Sequence, residues 1–284
     1  MCARCNECAA GPELRRFGIA QKLELHSQVL RRFLLYVETN YCFDVEHPNS
    51  YHNALHAAFV VQAVGHFMSV KPISSMLHDL DGLAVLLAAA VHDFRHPGVS
   101  NNFLITTQSK LAIRYNDISV LENFHCAEAF ELLQQPMYNV LSDLGKEKRA
   151  HVRFVVIQCV LATDLSHGQQ FTNMFKAKVR RSNLSSTVRA SPLLVFTSLL
   201  SHCFVWRASH ESPSVSRAVL VPQAEDKLLL MQVLLKCADV SHPARPLRIH
   251  KKWSHLIAEE FYAQGDLERT QVRVRPGRAG APLP

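Results

Sequence analysis

His52 and His56 stand four residues apart in Tyr51-His52-Asn53-Ala54-Leu55-His56-Ala57, so a helix places both imidazoles on one face. His92 and Asp93 sit side by side after an apolar run from Leu83 to Val91, and Asp239 closes a second apolar segment, Leu235-Lys236-Cys237-Ala238-Asp239. A carboxylate delivered by a helix this apolar needs a partner, because an unpaired buried charge is costly. Two imidazoles and two carboxylates with oxygen-rich neighbours suit a hard or borderline divalent cation. A lone His-Asp pair reads more plainly as a hydrogen-bonded cap on a buried helix end. Here the company of His52, His56 and Asp239 argues for metal chemistry.

These side chains can meet only if helices carry them. The Leu83–Val91 run predicts a fully buried helix, ended by His96-Pro97-Gly98. Leu25, Val29, Leu30, Phe33, Leu34 and Val37 fall at helical spacing between Leu23 and Thr39. Pro48-Asn49-Ser50 reads as a turn with a capping serine, before a helix from about His52 to Met68. Further helices are predicted over Val120–Leu133, Lys146–Thr163, Glu225–Ala238 and Leu247–Gln264, and no period-two strand set stands out. The expected class is all-α, a compact multi-helix bundle.

Three stretches fall outside that pattern. Residues 1–20 are small, polar and cysteine-bearing and read as a loosely held lead. Residues 183–223 are serine-rich without clean periodicity, and read as an insertion whose apolar part is too short for a membrane span. Residues 269–284 are Arg, Gly and Pro with almost no core formers, and read as a disordered tail.

The chain has 284 residues, 48% of them hydrophobic, enough for a substantial core. A net charge of +7 fits an anionic substrate such as a phosphate ester, and equally fits no particular partner. Cys42, Cys126, Cys159, Cys203 and Cys237 lie among apolar neighbours, as free thiols do in a reducing compartment. Cys2, Cys5 and Cys8 could offer three thiolates, but no fourth ligand follows at a fitting distance. Without a signal peptide or transmembrane segment, a cytoplasmic protein is expected.

Six motifs in order carry a resemblance to a known family. They are Tyr51-His52-Asn53-Ala54-Leu55-His56-Ala57, Ala90-Val91-His92-Asp93-Phe94-Arg95-His96-Pro97-Gly98 and Tyr115-Asn116-Asp117-Ile118-Ser119-Val120-Leu121-Glu122-Asn123-Phe124-His125. Ala162-Thr163-Asp164-Leu165-Ser166, Ala238-Asp239-Val240-Ser241-His242-Pro243 and Glu259-Glu260-Phe261-Tyr262-Ala263-Gln264-Gly265-Asp266 complete the set. Over residues 40–182 and 224–268 the chain resembles the catalytic domain of class I cyclic-nucleotide phosphodiesterases. That resemblance implies a catalytic domain over 21–268, incomplete at its C-terminal end, which hydrolyses cAMP and/or cGMP to the 5′-monophosphate.

By the same resemblance His56, His92, Asp93 and Asp239 match the ligands of a tightly held Zn²⁺, with Asp93 bridging to Mg²⁺ (or Mn²⁺). A hydroxide shared by the two ions is the implied nucleophile. His52 matches the general acid and Glu260 the carboxylate that orients it. His96, Glu122 and His125 match groups around the metal-bound waters, Asp164 lies near the second metal, and Tyr51 and His242 face the substrate. The implied partner is the cyclic nucleotide rather than a nucleic acid polymer, with a homodimer left open. Arg95 stands where the family usually has an acidic residue, and Phe124 replaces a histidine. The alternative is a catalytically incomplete metal-binding fragment that acts, if at all, as a binding or regulatory partner.

Overall fold

The computed structural model describes residues 5–44, 48–168, 170–171, 173–174 and 224–274. Helices run in the order α1 (Cys5–Arg16), α2 (Ile19–Lys22), α3 (Ser27–Thr39), α4 (Ala54–Met68), α5 (Lys71–Ser74) and α6 (Asp79–Val91). There follow α7 (Asn101–Thr106), α8 (Lys110–Arg114), α9 (Val120–Leu132), α10 (Lys146–Leu161), α11 (Ala224–Asp239) and α12 (Leu247–Val274). Among the described residues the extended backbone amounts to one isolated bridge, Cys42 to His96. The fold is all-α.

Helix α6 is the axis of the bundle. From Gly82 to Val91 it carries no charge, and every residue of that run is buried. A helix without a polar face must be surrounded, and α1, α3, α4, α9, α10 and α11 all pack against it. Each buried leucine or valine there stabilises the fold by roughly 1.5–3 kcal/mol, which makes the C-terminal end of α6 a rigid place from which to hang chemistry. Its other end is held by Asp81, whose carboxylate accepts from the His78 N–H (3.1 Å) and from His151 Nε2 (2.8 Å).

The helix ends at Val91, short of the Pro97 stop expected from sequence. The cause is local. His92 Nδ1 turns back to the Ala89 carbonyl (2.9 Å), and the His96 N–H donates to the carbonyls of Tyr41 (3.1 Å) and Asp93 (3.0 Å). Arg95 takes a left-handed conformation, φ 62°. Those bonds draw His92–His96 into a turn tied to the segment at Tyr41. Helix α4 likewise starts at Ala54, capped by the Asn53 side chain, which accepts from the N–H groups of Leu55 (3.0 Å) and His56 (3.3 Å). The expected serine cap at Ser50 is not used.

Two stretches outside the expected pattern are helical after all. The lead read as loose contains α1, which packs on α3, α4 and α6 and buries Ala10 and Leu14 completely, with Ile19 of α2 beside them. Its small, polar composition hid an apolar face. At the other end α12 continues through Arg269 to Val274, where Arg269 pairs with Asp266 (2.6 Å) and Thr270 bonds the Asp266 carbonyl (2.8 Å). Helix-breaking residues first appear at Pro276-Gly277, beyond that point. The insertion expected at 183–223, residues 275–284 and the side chains of Cys2, Cys5 and Cys8 lie outside the described residues.

Candidate active site

The site opens where α4 begins, where α6 ends and where α11 ends. Asn49 ties the first two together: its side-chain amide donates to the carbonyls of His52 and His96, each at 2.8 Å. Gly98 makes room for it, because a Cβ there, at φ 73°, would lie 2.7 Å from Asn49 Oδ1. The sequence marked Asn49 only as part of a turn. Its role depends on two backbones that only the tertiary fold brings together.

His56, His92, Asp93 and Asp239 converge so that one ligand atom from each lies within 4.8 Å of the others. His92 Nε2 is 3.0 Å from Asp93 Oδ2 and 3.3 Å from His56 Nε2, and His56 Nε2 is 3.1 Å from Asp239 Oδ1. The bond from His92 Nδ1 to the Ala89 carbonyl fixes a proton on Nδ1 and leaves Nε2 facing the cluster. Burial opposes ionisation of both aspartates. For Asp93 the charge of His92 and the hydrogen bonds from His56 and His92 outweigh it; for Asp239 the hydrogen bonds from His56 and His92 do, and both carboxyls sit well below the usual range. Burial also opposes a charged His92, yet the two carboxylates raise its pKa well above the ordinary value. This is an anionic donor set that gathers positive charge.

A second constellation adjoins it. Glu260 Oε2 accepts from the N–H groups of Tyr51 (2.9 Å) and His52 (3.0 Å), while Oε1 meets His52 Nδ1 in the tightest contact of the site. An ionised carboxylate only accepts, so Nδ1 carries a proton and Nε2 is the nitrogen left to work. Burial would lower the His52 pKa, but the Glu260 hydrogen bond and the charges of Asp93, Glu260 and Asp239 raise it. Glu260 is held below its ordinary value by the same His52 contact, against the pull of burial. The His52 ring stacks on His96 at 4.0 Å.

Burial disfavours the charged form of His96 and His125. Burial drives His96 well below the ordinary histidine value and brings His125 to about 4. His125 Nδ1 donates to the Phe94 carbonyl (2.7 Å), which leaves Nε2 buried without a protein partner, 3.9 Å from Asp93 Oδ1. Asp93, His96 and His125 form a second group whose ligand atoms converge within 4.8 Å. A buried imidazole nitrogen with no partner, beside a carboxylate, fits a cation or the water that a cation holds.

The structure keeps Glu122 and Asp164 outside the converging groups of ligand atoms. Asp164 accepts from Ser119 Oγ (2.7 Å) and the Ser166 N–H (2.8 Å), on a turn fastened by Lys236 Nζ to the carbonyls of Ala162, Thr163 and Asp164. Glu122 accepts from Asn101 Nδ2 (3.0 Å), and burial raises its pKa from 4.5 to about 7. A carboxyl with a raised folded pKa stabilises the fold below its unfolded pKa, and that stabilisation is lost as pH rises toward the folded value. In chelator, the parent should therefore lose roughly 2–3 kcal/mol relative to Glu122→Gln between about pH 4.5 and 7. Denaturant melts of both proteins at pH 5 and pH 8 test this, and a constant gap would be the contrary result.

Tyr51 is buried, 4.7 Å from His56, 5.4 Å from Trp253 and 6.2 Å from His242, ring to ring. His242 Nδ1 meets His250 Nδ1 at 3.1 Å, and Ser254 lies 3.3 Å from the same His250 nitrogen. His250, Trp253 and Ser254 escaped the sequence reading because α12 looked like an ordinary amphipathic helix. Gln264, farther along, accepts from the Ser100 N–H at the cap of α7 (2.8 Å).

Comparison with known proteins identifies the family of the chain. The 3′5′-cyclic nucleotide phosphodiesterase family matches residues 51–276, and the chain belongs to that family. It is 34% identical to the rat 3′,5′-cyclic-AMP phosphodiesterase 4C, over 90% of this chain and 42% of that one. It is also 34% identical to the Drosophila melanogaster dual specificity calcium/calmodulin-dependent 3′,5′-cyclic nucleotide phosphodiesterase 1, over 89% of this chain and 25% of that one. The phosphodiesterase domain of the RhoPDE fusion protein from the choanoflagellate Salpingoeca rosetta superposes with a TM-score of 0.75 at 27% identity, covering 92% of this chain and 70% of that one. The chain thus spans less than half the length of these curated relatives. Among the described residues no helix is long and apolar enough to cross a membrane.

Proposed function

We propose that the chain hydrolyses a 3′,5′-cyclic nucleotide to the 5′-monophosphate. The observation that carries this reading is one juxtaposition: the His52–Glu260 pair adjoins the His56, His92, Asp93 and Asp239 cluster, on a chain whose family match spans both. His56, His92, Asp93 and Asp239 would hold Zn²⁺, and Asp93 would share Mg²⁺ or Mn²⁺. Bound divalent ions supply Lewis-acid charge to a phosphoryl group and lower the pKa of water.

The chain's own groups then have distinct tasks. His52 Nε2 gives a proton to the departing 3′ oxygen as the P–O3′ bond breaks and a water oxygen bonds to phosphorus. Glu260 holds the imidazole in orientation and keeps it protonated. His96 supports the His52 ring from its other face. His125, with its unpartnered Nε2, together with Glu122 and Asp164, orders water beside Asp93. Tyr51 and His242 line the approach of the nucleotide. Cyclic AMP is the first candidate substrate, since the rat relative is named for it, with cyclic GMP second. The proposed setting is the cytoplasm.

The test is an assay of the purified chain with cAMP, cGMP and a linear phosphodiester side by side, with and without chelator. The expected result is 5′-monophosphate from a cyclic substrate only, abolished by chelator and restored by added Zn²⁺ with Mg²⁺. The alternative reading is a catalytically incomplete metal-binding chain that acts as a binding or regulatory partner. Bound metal with no turnover on any substrate would decide for it.

A further inference from the structure

Arg95 places a permanent cation two residues along the chain from Asp93, a member of the cluster whose ligand atoms could hold a divalent ion. Its Nη1 lies 2.5 Å from Glu128 Oε2, and its guanidinium sits 5.4 Å from the centre of the Phe43 ring. Phe43 in turn lies against Phe124, ring centres 6.1 Å apart. The two positions at which the sequence departs from the family pattern, Arg95 and Phe124, thus flank one ring, and Glu128 is one turn along α9 from Phe124.

Fastening the turn is not the special contribution of this pair. His125 already joins α9 to it through the Phe94 carbonyl, and Tyr41 and Asn49 hold its far end through His96. The Arg95 side chain is 39% exposed, and an ion pair that open contributes little to stability, about 0–1 kcal/mol. What the pair does change is charge. With Glu128 in place the Arg95 cation is matched; without it, a positive charge two residues from Asp93 would stand unmatched.

Resting on the metal reading above, we infer that Glu128 is a positioning residue that holds and neutralises Arg95, so that the His56, His92, Asp93 and Asp239 cluster can bind a divalent cation despite a neighbouring arginine. A purely structural tie predicts that removing either partner harms the site alike. The electrostatic role predicts opposite signs.

The experiment is Zn²⁺ affinity by competition with a fluorescent chelator, for the parent, Glu128→Gln, Arg95→Gln and the double variant, at low and high salt. Glu128→Gln should bind Zn²⁺ roughly five- to twentyfold more weakly, with the deficit shrinking at high salt. Arg95→Gln should bind as tightly as the parent or tighter, and the double variant should return to within about twofold of it. Helical circular dichroism of each metal-free variant verifies folding, and recovery in the double variant shows that the loss of the carboxylate at position 128 is itself tolerated. Equal losses in both single variants, or a Glu128→Gln affinity equal to the parent's, would overturn the inference while leaving the metal site standing. A parent that takes up no Zn²⁺ would overturn the metal reading and this inference with it.

Discussion

Asp239→Ala should empty the metal site and abolish turnover together. Asp239 reaches His56 Nε2 at 3.1 Å and His92 Nε2 at 3.5 Å from the end of α11, across the cluster from Asp93. Its removal leaves two imidazoles and one carboxylate, with half of the negative charge that draws in a dication. Loss of one direct ligand should cost at least about a hundredfold in Zn²⁺ affinity, the upper end of what an outer hydrogen-bond partner costs. Turnover should then fall by roughly a thousandfold or more, since the phosphoryl charge loses its principal counter-charge. Metal content by elemental analysis and hydrolysis of cAMP on the same sample check both halves. Full metal content in Asp239→Ala would remove it from the ligand set. The fold should persist, because Ala238 and Leu235 of α11 stay buried against α4 and α6 whatever stands at 239.

What the sequence made legible, and what it did not, divides by distance along the chain. Helical spacing put His52 and His56 on one face, and the uninterrupted apolar run announced α6 as the buried axis, since both are local properties of the chain. The all-α class followed from the same periodicity. The pairing of His52 with Glu260 spans 208 residues, and no local pattern encodes it. That pairing came instead from resemblance to a family, and the structure supplies its geometry. Arg95 illustrates the opposite limit. It stands two residues from Asp93 where the family usually has an acidic residue, and its partner Glu128, 33 residues away, had no mark of its own. The end of α6 was misjudged because a tertiary hydrogen bond, from the His96 N–H to the Tyr41 carbonyl, helps capture the backbone there. Helix α1 was missed because Gly11 and Pro12 interrupt a short stretch of small and polar residues, while burial depends on a few positions such as Ala10 and Leu14.

Replacing His52 separates binding from chemistry. His52→Gln should keep the metal held by His56, His92, Asp93 and Asp239, since His52 is not a member of that cluster. Its turnover should drop about a hundred- to ten-thousandfold, the usual contribution of a positioned general acid, with a much smaller change in KM. Glu260→Gln should fall less, and its pH profile should move in a defined direction. The Glu260 hydrogen bond is the strongest influence raising the His52 pKa against burial, so the acid form survives to higher pH in the parent. Weakening that bond lowers the His52 pKa, and the alkaline limb of kcat/KM should shift toward acid pH. The side-chain amide introduced by Glu260→Gln can still accept from the Tyr51 and His52 N–H groups, so the loop before α4 should keep its shape and the metal its site. A Glu260→Gln profile superimposable on the parent's would mean that Glu260 merely scaffolds the loop and that His52 owes its protonation to Asp93 and Asp239. A shift confined to the alkaline limb, with metal content unchanged, is the result expected if the two residues act as one proton-delivering unit.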